Sequence, residues 1–311
     1  MQNRVAFTTY SETDLGIKQV EALVRRVRLR FGGFVYSPKL TYNLQLSFTR
    51  GDMDWDNTQF PNVVRDAYLQ YQLTKKFSIG FGQTKLPGNR QRVISSGEQQ
   101  LVDRSIVNAV FNIDRDFGVQ FNYRLNHIAL RGAISSGEGR NIAKSDNGLA
   151  YTGRIEFLPM GAFTNGGDYF EGDLMREKKP KLSIGFVYSH NHHAMRTAGQ
   201  LGSPLYEQSN IGSFMVDALY KHAGWAFSAE YHDRTATNPI TDDGNGNQRY
   251  VYVGTGQNYQ LSYLFIKNWE VIGRYSTITP AKILEANENI RNQYTIGLTK
   301  YLHGHRVKIQ N

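Results

Sequence analysis

The chain has 311 residues, no cysteine, and 36 Lys and Arg side chains against 27 Asp and Glu, which gives a net charge of +9. The absence of cysteine excludes disulfides and cysteine-ligated metals, while the positive charge favours an anionic partner or solute. The 19 Tyr, 17 Phe and 30 Gly favour strands with glycine-rich connections, and no apolar run approaches the roughly 18 residues of a membrane-spanning helix.

Strict alternation of apolar and polar residues is the dominant pattern along the chain. It first becomes clear in RRVRLRF at 25–31, where three arginines alternate with Val, Leu and Phe, and it continues at 40–49, where all ten positions fit a two-residue period. This pattern predicts fifteen strands, at about 3–9, 23–36, 39–50, 63–74, 77–85, 115–124, 127–136, 149–158, 181–190, 211–221, 224–233, 256–266, 269–277, 291–301 and 304–311.

The predicted connections alternate between short and long. The short ones are 37–39, 74–76, 124–126, 222–224, 266–268 and 302–305, and the long ones are 50–62, 86–114, 136–148, 190–210, 233–255 and 277–290. The connection at 159–180 breaks the rule, because its place in the order predicts a short turn. Short turns at one rim and long loops at the other are typical of an outer-membrane barrel.

The predicted fold is therefore all-β: a transmembrane antiparallel β-barrel that forms a single domain, with short periplasmic turns and long extracellular loops. Such barrels usually have an even strand number, so we expect about sixteen strands, the last one beyond residue 311. A large soluble β-protein is the alternative. Aromatic residues near strand ends, such as Trp225, Trp269 and Tyr188, favour the barrel because Trp and Tyr gather at membrane interfaces.

In a membrane barrel the apolar residues of RRVRLRF face lipid and its alternating arginines face enclosed water. The reverse orientation would cost ~2–4 kcal/mol for each guanidinium near the membrane midplane. The same parity predicts the pore-lining cations Arg26, Arg28, Arg30, Arg131, Arg154, Arg274, Arg306 and Lys308. Sectors of Arg and Lys attract anions in pores, but such arginines could instead brace the wall through ion pairs, as Arg154 and Glu156 could.

An extended resemblance supports this interpretation. RDAYLQYQLTKKFSIGFGQTKLP at 65–87 and the stretch 90–121 resemble the phosphate-selective porin O and P family, in its Bacteroidetes-type branch, and so do 25–48 and 304–311. The resemblance implies a sixteen-stranded channel of the bacterial outer membrane, usually a homotrimer, which selects small anions such as phosphate. It also implies a third loop folded into the pore as a constriction, here 86–114, which carries Arg90, Arg92 and Arg104.

The expected function is passive diffusion of small anionic solutes, with outer-membrane lipid around the barrel, no cofactor, no metal and no enzymatic activity. The histidines at 190, 192 and 193 and the sequence DDGNGN at 242–247 lack the ligand spacing of zinc and calcium sites. The alternative is a barrel that serves as a scaffold in a larger outer-membrane complex, with 159–180 binding a periplasmic or outer-membrane protein. Nucleic acid binding is disfavoured because the basic residues are enclosed or scattered.

Overall fold

Alternating residues form long antiparallel strands in the structure, a computed structural model that describes residues 1–11, 13–53, 61–142 and 148–311. Eighteen strands lie in these ranges. They are β1 (Gln2–Thr9), β2 (Ile17–Arg26), β3 (Arg28–Val35), β4 (Ser37–Ser47), β5 (Val64–Gln72), β6 (Phe77–Lys85), β7 (Arg115–Arg124), β8 (Ile128–Ser135), β9 (Ala150–Phe157), β10 (Lys181–Arg196), β11 (Pro204–His222), β12 (Trp225–Ala236), β13 (Ile240–Asp242), β14 (Gln248–Tyr250), β15 (Gly254–Leu264), β16 (Trp269–Pro280), β17 (Arg291–His303) and β18 (Val307–Gln310).

Helical segments are short and lie in the connections. The α-helices are α1 (Arg50–Met53), α2 (Arg90–Val93) and α3 (Ile106–Phe111), and the 3₁₀ turns are Ser96–Glu98, Thr164–Tyr169, Ile266–Asn268 and Lys282–Leu284. Within the described ranges, none of the helices is long and apolar enough to cross a membrane.

Fourteen strands form one antiparallel sheet in which neighbours along the chain are neighbours in space. The order runs from β3 through β12 and then β15 to β18, while β1–β2 and β13–β14 are separate hairpins. This up-and-down order confirms the predicted all-β antiparallel plan, and β3 and β18 are the two edge strands of the sheet among the described residues. It also brings the short connections together at one rim, where Leu158 N donates to the His127 carbonyl oxygen (2.8 Å) and Leu264 N to that of Gly224 (2.9 Å).

The structure differs from the predicted elements in four places. The predicted strand 23–36 is divided at Val27, because the chain pairs with β1 before this residue and with β4 after it. Strands β10 and β11 reach into the predicted loop 190–210, and the hairpin β13–β14 lies inside the predicted loop 233–255. Arg306 lies in the turn before β18 rather than in a strand. Parts of the predicted loops 50–62 and 136–148 lie outside the described residues.

The two faces of the sheet have the predicted polarity. In β9, Ile155 is 53% exposed while the neighbouring Arg154 and Glu156 are each 1% exposed, and Leu29 and Phe31 of β3 are half-exposed. Apolar side chains on the open face and buried charged side chains on the other are the reverse of a soluble sandwich. The outer face therefore suits lipid, and the packed core lies on the inner face, where the connection 86–114 contacts the wall.

Candidate functional site

Loop 86–114, which connects β6 to β7, is attached to the inner wall by apolar side chains. At its two ends Leu86 and Ile113 pack with Ala133, Val187 and Met215 of β8, β10 and β11. This packing fixes both ends of the loop against the wall.

Helix α3 of the same loop packs farther around the barrel. Its residues Val107 and Phe111 pack with Tyr252 and with Ile278 of β16. Gly256 of β15 permits this close approach, since a Cβ atom there would lie 2.8 Å from Phe111 Cε2. The loop therefore spans from β8 to β16 across the inner face.

A buried group of four charges also holds the loop. Arg90 Nε donates to Asp217 Oδ1 at 2.8 Å, and Arg90 Nη1 lies 3.2 Å from Glu156 Oε1. Arg154 of β9 contacts the same two carboxylates, at 2.7 Å from Asp217 Oδ2 and 2.8 Å from Glu156 Oε1. Burial disfavours the charged form of Arg90, but Asp217 and Glu156 outweigh it and raise its pKa. Two cations and two anions balance, so Arg90 and Arg154 brace the structure.

The other two predicted loop cations have different partners. Arg92 Nε donates to Asp114 Oδ1 at 2.8 Å. Arg104 donates only to carbonyl oxygens in the contacts that the structure describes, those of Gln91 (2.8 Å) and Ile94 (3.1 Å). Burial, together with the positive charges of Arg92 and others, lowers the pKa of Arg104 well below its ordinary value. An anion beside Arg104 would relieve this unfavourable electrostatic environment.

The three alternating arginines of β2 and β3 also differ in whether their partner is a carboxylate or a neutral group. Arg28 makes a bidentate ion pair with Asp52 (2.6 and 2.7 Å). Arg26 instead donates to the side-chain oxygen of Gln2 (2.6 Å), and Arg30 donates to Asn43 Oδ1 (2.8 Å). Of the three, Arg28 alone has a carboxylate partner among the described residues.

These arginines line a cavity of about 720 Å³ between loop 86–114 and strands β2 to β7, here called the first cavity. Its lining holds ten cationic side chains and five carboxylates. The cations are Arg25, Arg26, Arg28, Arg30, Arg65, Lys85, Arg92, Arg104, Arg115 and Arg140, and the carboxylates are Asp52, Asp66, Glu98, Asp103 and Asp114.

The second cavity, of about 500 Å³, lies toward the rim of short turns. Its described lining holds six cations and no carboxylate, the cations being Arg30, Lys75, Lys76, Lys85, Arg124 and Arg131. Arg30, Asn43, Thr84 and Lys85 line both cavities, so these four side chains mark the boundary between them.

The remaining predicted pore cations lie elsewhere. Arg274 is buried beneath the loop and donates to the Asp103 carbonyl oxygen (2.9 Å). Arg306 and Lys308 line a separate cavity beside β18, which also contains Arg26 and Arg28. Arg154, within the four-charge group, is 1% exposed. Thus Arg26, Arg28, Arg30, Arg92, Arg104 and Arg131 line the first two cavities, and Arg90, Arg154, Arg274, Arg306 and Lys308 do not.

Several cavity residues were missed in the sequence. Lys85 and Arg115 are the last residue of β6 and the first of β7, at the two ends of loop 86–114. Their adjacency to a long loop predicted to fold inward is the signal that could have found them. Lys75 and Lys76 lie in a short turn, where a charged pair has no distinctive pattern.

The two weak metal-binding patterns have ordinary structural roles. Asp243 Oδ1 accepts hydrogen bonds from Asn245 N (2.9 Å) and Asn247 N (3.1 Å), which makes DDGNGN a side-chain-stabilised turn. The rings of His192 and His193 stack 3.7 Å apart near the end of β10. In the part of the chain that the structure describes, no three His, Asp or Glu side chains are grouped to hold a metal ion.

Comparison with known structures shows outer-membrane barrels. The chain is similar to the outer-membrane channel DcaP of Acinetobacter baumannii (TM-score 0.54, 15% identity, 97% of this chain and 84% of that chain). It is also similar to OmpF of Salmonella typhi in complex with daunomycin (TM-score 0.51, 15% identity, 97% and 84%). A third match is a porin refined at 1.8 Å resolution (TM-score 0.50, 12% identity, 97% and 88%). At these identities the likeness shows the fold.

Comparison with curated protein sequences gives no match. The family model described as phosphate-selective porin O and P, however, matches residues 2–308, which is nearly the whole chain. This match confirms the family resemblance of the sequence, whereas the Bacteroidetes-type branch stays a prediction. The chain therefore belongs to the phosphate-selective porin O and P family and is a channel of the bacterial outer membrane.

Proposed function

We propose that this channel conducts small anionic solutes by passive diffusion through the first and second cavities. The observation that carries the proposal is the described lining of the second cavity, which has six cations and no carboxylate; one of the six, Arg124, pairs with the buried Asp168 behind the lining (3.0 Å). The first cavity is also biased, by ten cations to five carboxylates. Arginine and lysine linings of this kind attract anions and repel cations in pores.

The way the boundary cations are held supports this proposal. Arg30 is held by the neutral amide of Asn43, and Lys85 Nζ donates to the carbonyl oxygens of Val93 and Ile94 (3.2 Å each). A neutral acceptor fixes the position of a cation but does not cancel its charge. Arg30, which is exposed and keeps its charge, therefore places a positive potential where the cavities meet.

Phosphate is the solute we favour, and the support for it is of two kinds. The family model is described as phosphate-selective. Guanidinium groups bind phosphate oxygens in bidentate geometry, and Arg26, Arg30 and Arg104 have no carboxylate partner among the described residues. The proposal involves no catalytic step.

Planar bilayers with a KCl gradient test the proposal. We expect the reversal potential to show a preference for chloride over potassium, and phosphate to reduce the chloride current. The double variant Arg30→Gln/Lys85→Gln should lower the chloride preference. A matched control, Lys178→Gln/Lys179→Gln, removes two exposed cations that line neither cavity and should leave the preference unchanged. A wild-type channel that prefers potassium would refute the proposal.

The family resemblance also implies a homotrimer, and we include this assembly in the proposal. Native mass spectrometry of the detergent-solubilised protein should give three times the mass of the 35.4 kDa chain. A monomeric mass would contradict the assembly without affecting the proposed selectivity.

The scaffold alternative depended on partner binding by the connection 159–180. The acidic side chains Asp168, Glu171, Asp173 and Glu177 of this connection are buried. Because these groups contact the same chain, no specific observation favours a docking role for them, and the channel function remains the better supported one.

A further inference from the structure

The connection 159–180, here called the insert, folds into the barrel from the rim of short turns. Its Phe163 packs with Leu158 and Leu219. Lys221 of β11, itself fully buried, donates to the carbonyl oxygens of Gly167 and Phe170 (2.7 Å each). The insert thus uses the polar inner face of the wall as its packing surface.

The insert is also hydrogen-bonded to the rim of short turns. Asp173 Oδ2 accepts a hydrogen bond from Gly224 N (2.8 Å), and the Glu177 carbonyl oxygen accepts one from Ala223 N (2.9 Å). Both donors lie in the tight turn between β11 and β12. Buried polar groups are normally hydrogen-bonded within the protein, whereas the polar groups of a solvated turn bond to water. These hydrogen bonds therefore hold the insert against the rim.

Inside the barrel the insert meets loop 86–114, which enters from the opposite rim. Glu171 N donates to the Glu98 carbonyl oxygen (2.9 Å), and Gln100 N donates to Glu171 Oε2 (2.8 Å). Arg90 Nη1 donates to the carbonyl oxygen of Asp168 (3.1 Å). The two inward segments therefore support each other, and each would lose hydrogen-bond partners without the other.

Tyr169 is the residue of the insert that lines the first cavity. Its hydroxyl donates to Glu156, and its ring lies 4.5 Å from the guanidinium carbon of Arg131. Tyr169 lines the first cavity and Arg131 lines the second. The pair therefore lies where the cavities approach each other, on the β8 and β9 part of the wall, whereas Arg30 and Lys85 approach the boundary from β3 and β6.

The same contacts indicate which part of the lumen is filled. Gln100 of the loop donates to Ser262 Oγ of β15 and Glu270 Oε1 of β16 (2.6 Å each), and Gln260 donates to both Gln100 and Glu171. The sector next to β15 and β16 is thus occupied by hydrogen-bonded side chains from both inward segments. The two cavities lie on the other side, along β2 to β8.

We propose that the insert is a second constriction element, which limits solute size through Tyr169 and holds loop 86–114 in position. This role rests on the channel activity of the family and does not depend on the proposed preference for anions. It adds a size-determining residue on a connection that the strand order alone would make a short turn.

Removal of the insert tests the proposal. Ile184 pairs with Phe157 across β9 and β10, so Leu158 and Ser183 are the next opposed positions. Replacing residues 159–182 by Asn-Gly would close this pair with a two-residue hairpin turn. Because pore diameter controls passage, we expect the single-channel conductance to rise about twofold. In liposome-swelling assays, trisaccharides excluded by the wild type should enter. Unchanged conductance and unchanged sugar exclusion would overturn the proposal.

A point variant decides the matter if the shortened chain fails to fold. Tyr169→Ala should raise the conductance by about 1.2- to 1.5-fold and shift the sugar cut-off upward, because it widens the boundary without removing the insert. Tyr36→Ala is the matched control, since Tyr36 lies fully exposed in the turn between β3 and β4 at the same rim. If Tyr169→Ala and Tyr36→Ala both behave as the wild type, Tyr169 does not limit size and the proposal fails.

The reversal potential separates this inference from the proposed anion preference. A variant that conducts more but keeps the wild-type chloride preference supports the size role alone. A wild-type channel that prefers potassium would refute the anion proposal while leaving the sugar cut-off as a valid test of the insert.

Discussion

Replacing Arg90 by Met tests the idea that loop 86–114 is held by a buried, charge-balanced group. Arg90 is 1% exposed and contacts Asp217 and Glu156, which are 2% and 1% exposed. Without Arg90, Arg154 would be the one described cation within ion-pair distance of these two carboxylates. Breaking a buried ion pair by removing one partner costs about 3–5 kcal/mol, since an uncompensated charge stays buried. We expect the free energy of unfolding to fall by this amount.

The assay is guanidinium-induced unfolding in lipid vesicles, followed by tryptophan fluorescence, together with single-channel recording. Loss of the anchor should also increase current noise, because the loop would move within the first cavity. Arg291→Met is the matched control. Arg291 has a half-exposed side chain 3.5 Å from Glu288, and such exposed pairs contribute about 0–1 kcal/mol.

A second substitution that makes the buried group neutral again provides a further test. In Arg90→Met/Glu156→Gln, Arg154 keeps its two hydrogen bonds to Asp217 (2.7 and 3.0 Å) and the group is again neutral. The double variant should therefore be more stable than Arg90→Met, and the coupling energy should exceed the ~0.5 kcal/mol expected of independent sites. A loss below about 1 kcal/mol for Arg90→Met, or no recovery in the double variant, would refute the charge-balance reasoning.

Three other expectations follow from the same geometry. Desolvation raises the pKa of Glu98 although Lys85 acts in the opposite direction, so Glu98 protonates at a higher pH than an ordinary glutamate. Because protonation removes a negative charge from the first cavity, bilayer recordings should show the chloride preference rising as the pH falls. Glu98→Gln should remove this part of the pH dependence. Gly256→Val should cost about 1–3 kcal/mol in unfolding experiments, because its Cβ would lie 2.8 Å from Phe111 Cε2; an unchanged stability would contradict the close packing. Ile155→Arg on the outer face should lower the free energy of unfolding in lipid vesicles by up to ~4 kcal/mol, since an arginine on the lipid face is destabilising to a degree that depends on its depth; an unchanged stability in vesicles would argue against lipid contact at this position.

The strands and their faces could be predicted from the sequence because the two-residue period is a local property. RRVRLRF alone requires two different environments. In β9 burial alternates as the sequence predicts, and in β3 Arg28 and Arg30 line the first cavity while Leu29 and Phe31 are half-exposed. The break at Val27 was invisible, because it marks a change of pairing partner rather than a change in residue pattern.

Which cations form ion pairs and which line the cavities could not be predicted from the sequence. Arg90 and Asp217 are 127 positions apart, and Arg28 meets Asp52 only through the path of the chain after β4. The position of an arginine in the two-residue alternation shows whether it points inward. Whether it forms ion pairs, as Arg154 does, or lines a cavity, as Arg30 does, depends on residues that are distant in the sequence. The exceptional length of the insert was likewise visible in the sequence, whereas its inward path was not.

Anion preference in this channel should depend on neutral acceptors as much as on the cations themselves. Asn43 Oδ1 accepts a hydrogen bond from Arg30 Nε at 2.8 Å, so Asn43→Asp would keep the shape of this contact and add one negative charge. The added carboxylate would bind Arg30 as Asp52 binds Arg28, and two unit charges 4 Å apart attract by about 1–4 kcal/mol in water or near a protein surface. We therefore expect Asn43→Asp to lower the chloride preference as much as Arg30→Gln does, although every arginine is still present. Asn287→Asp, an exposed change that lines neither cavity, should have no effect. If Asn43→Asp leaves the reversal potential unchanged, the boundary cations do not set the selectivity, and Arg26 and Arg104 of the first cavity become the residues to test.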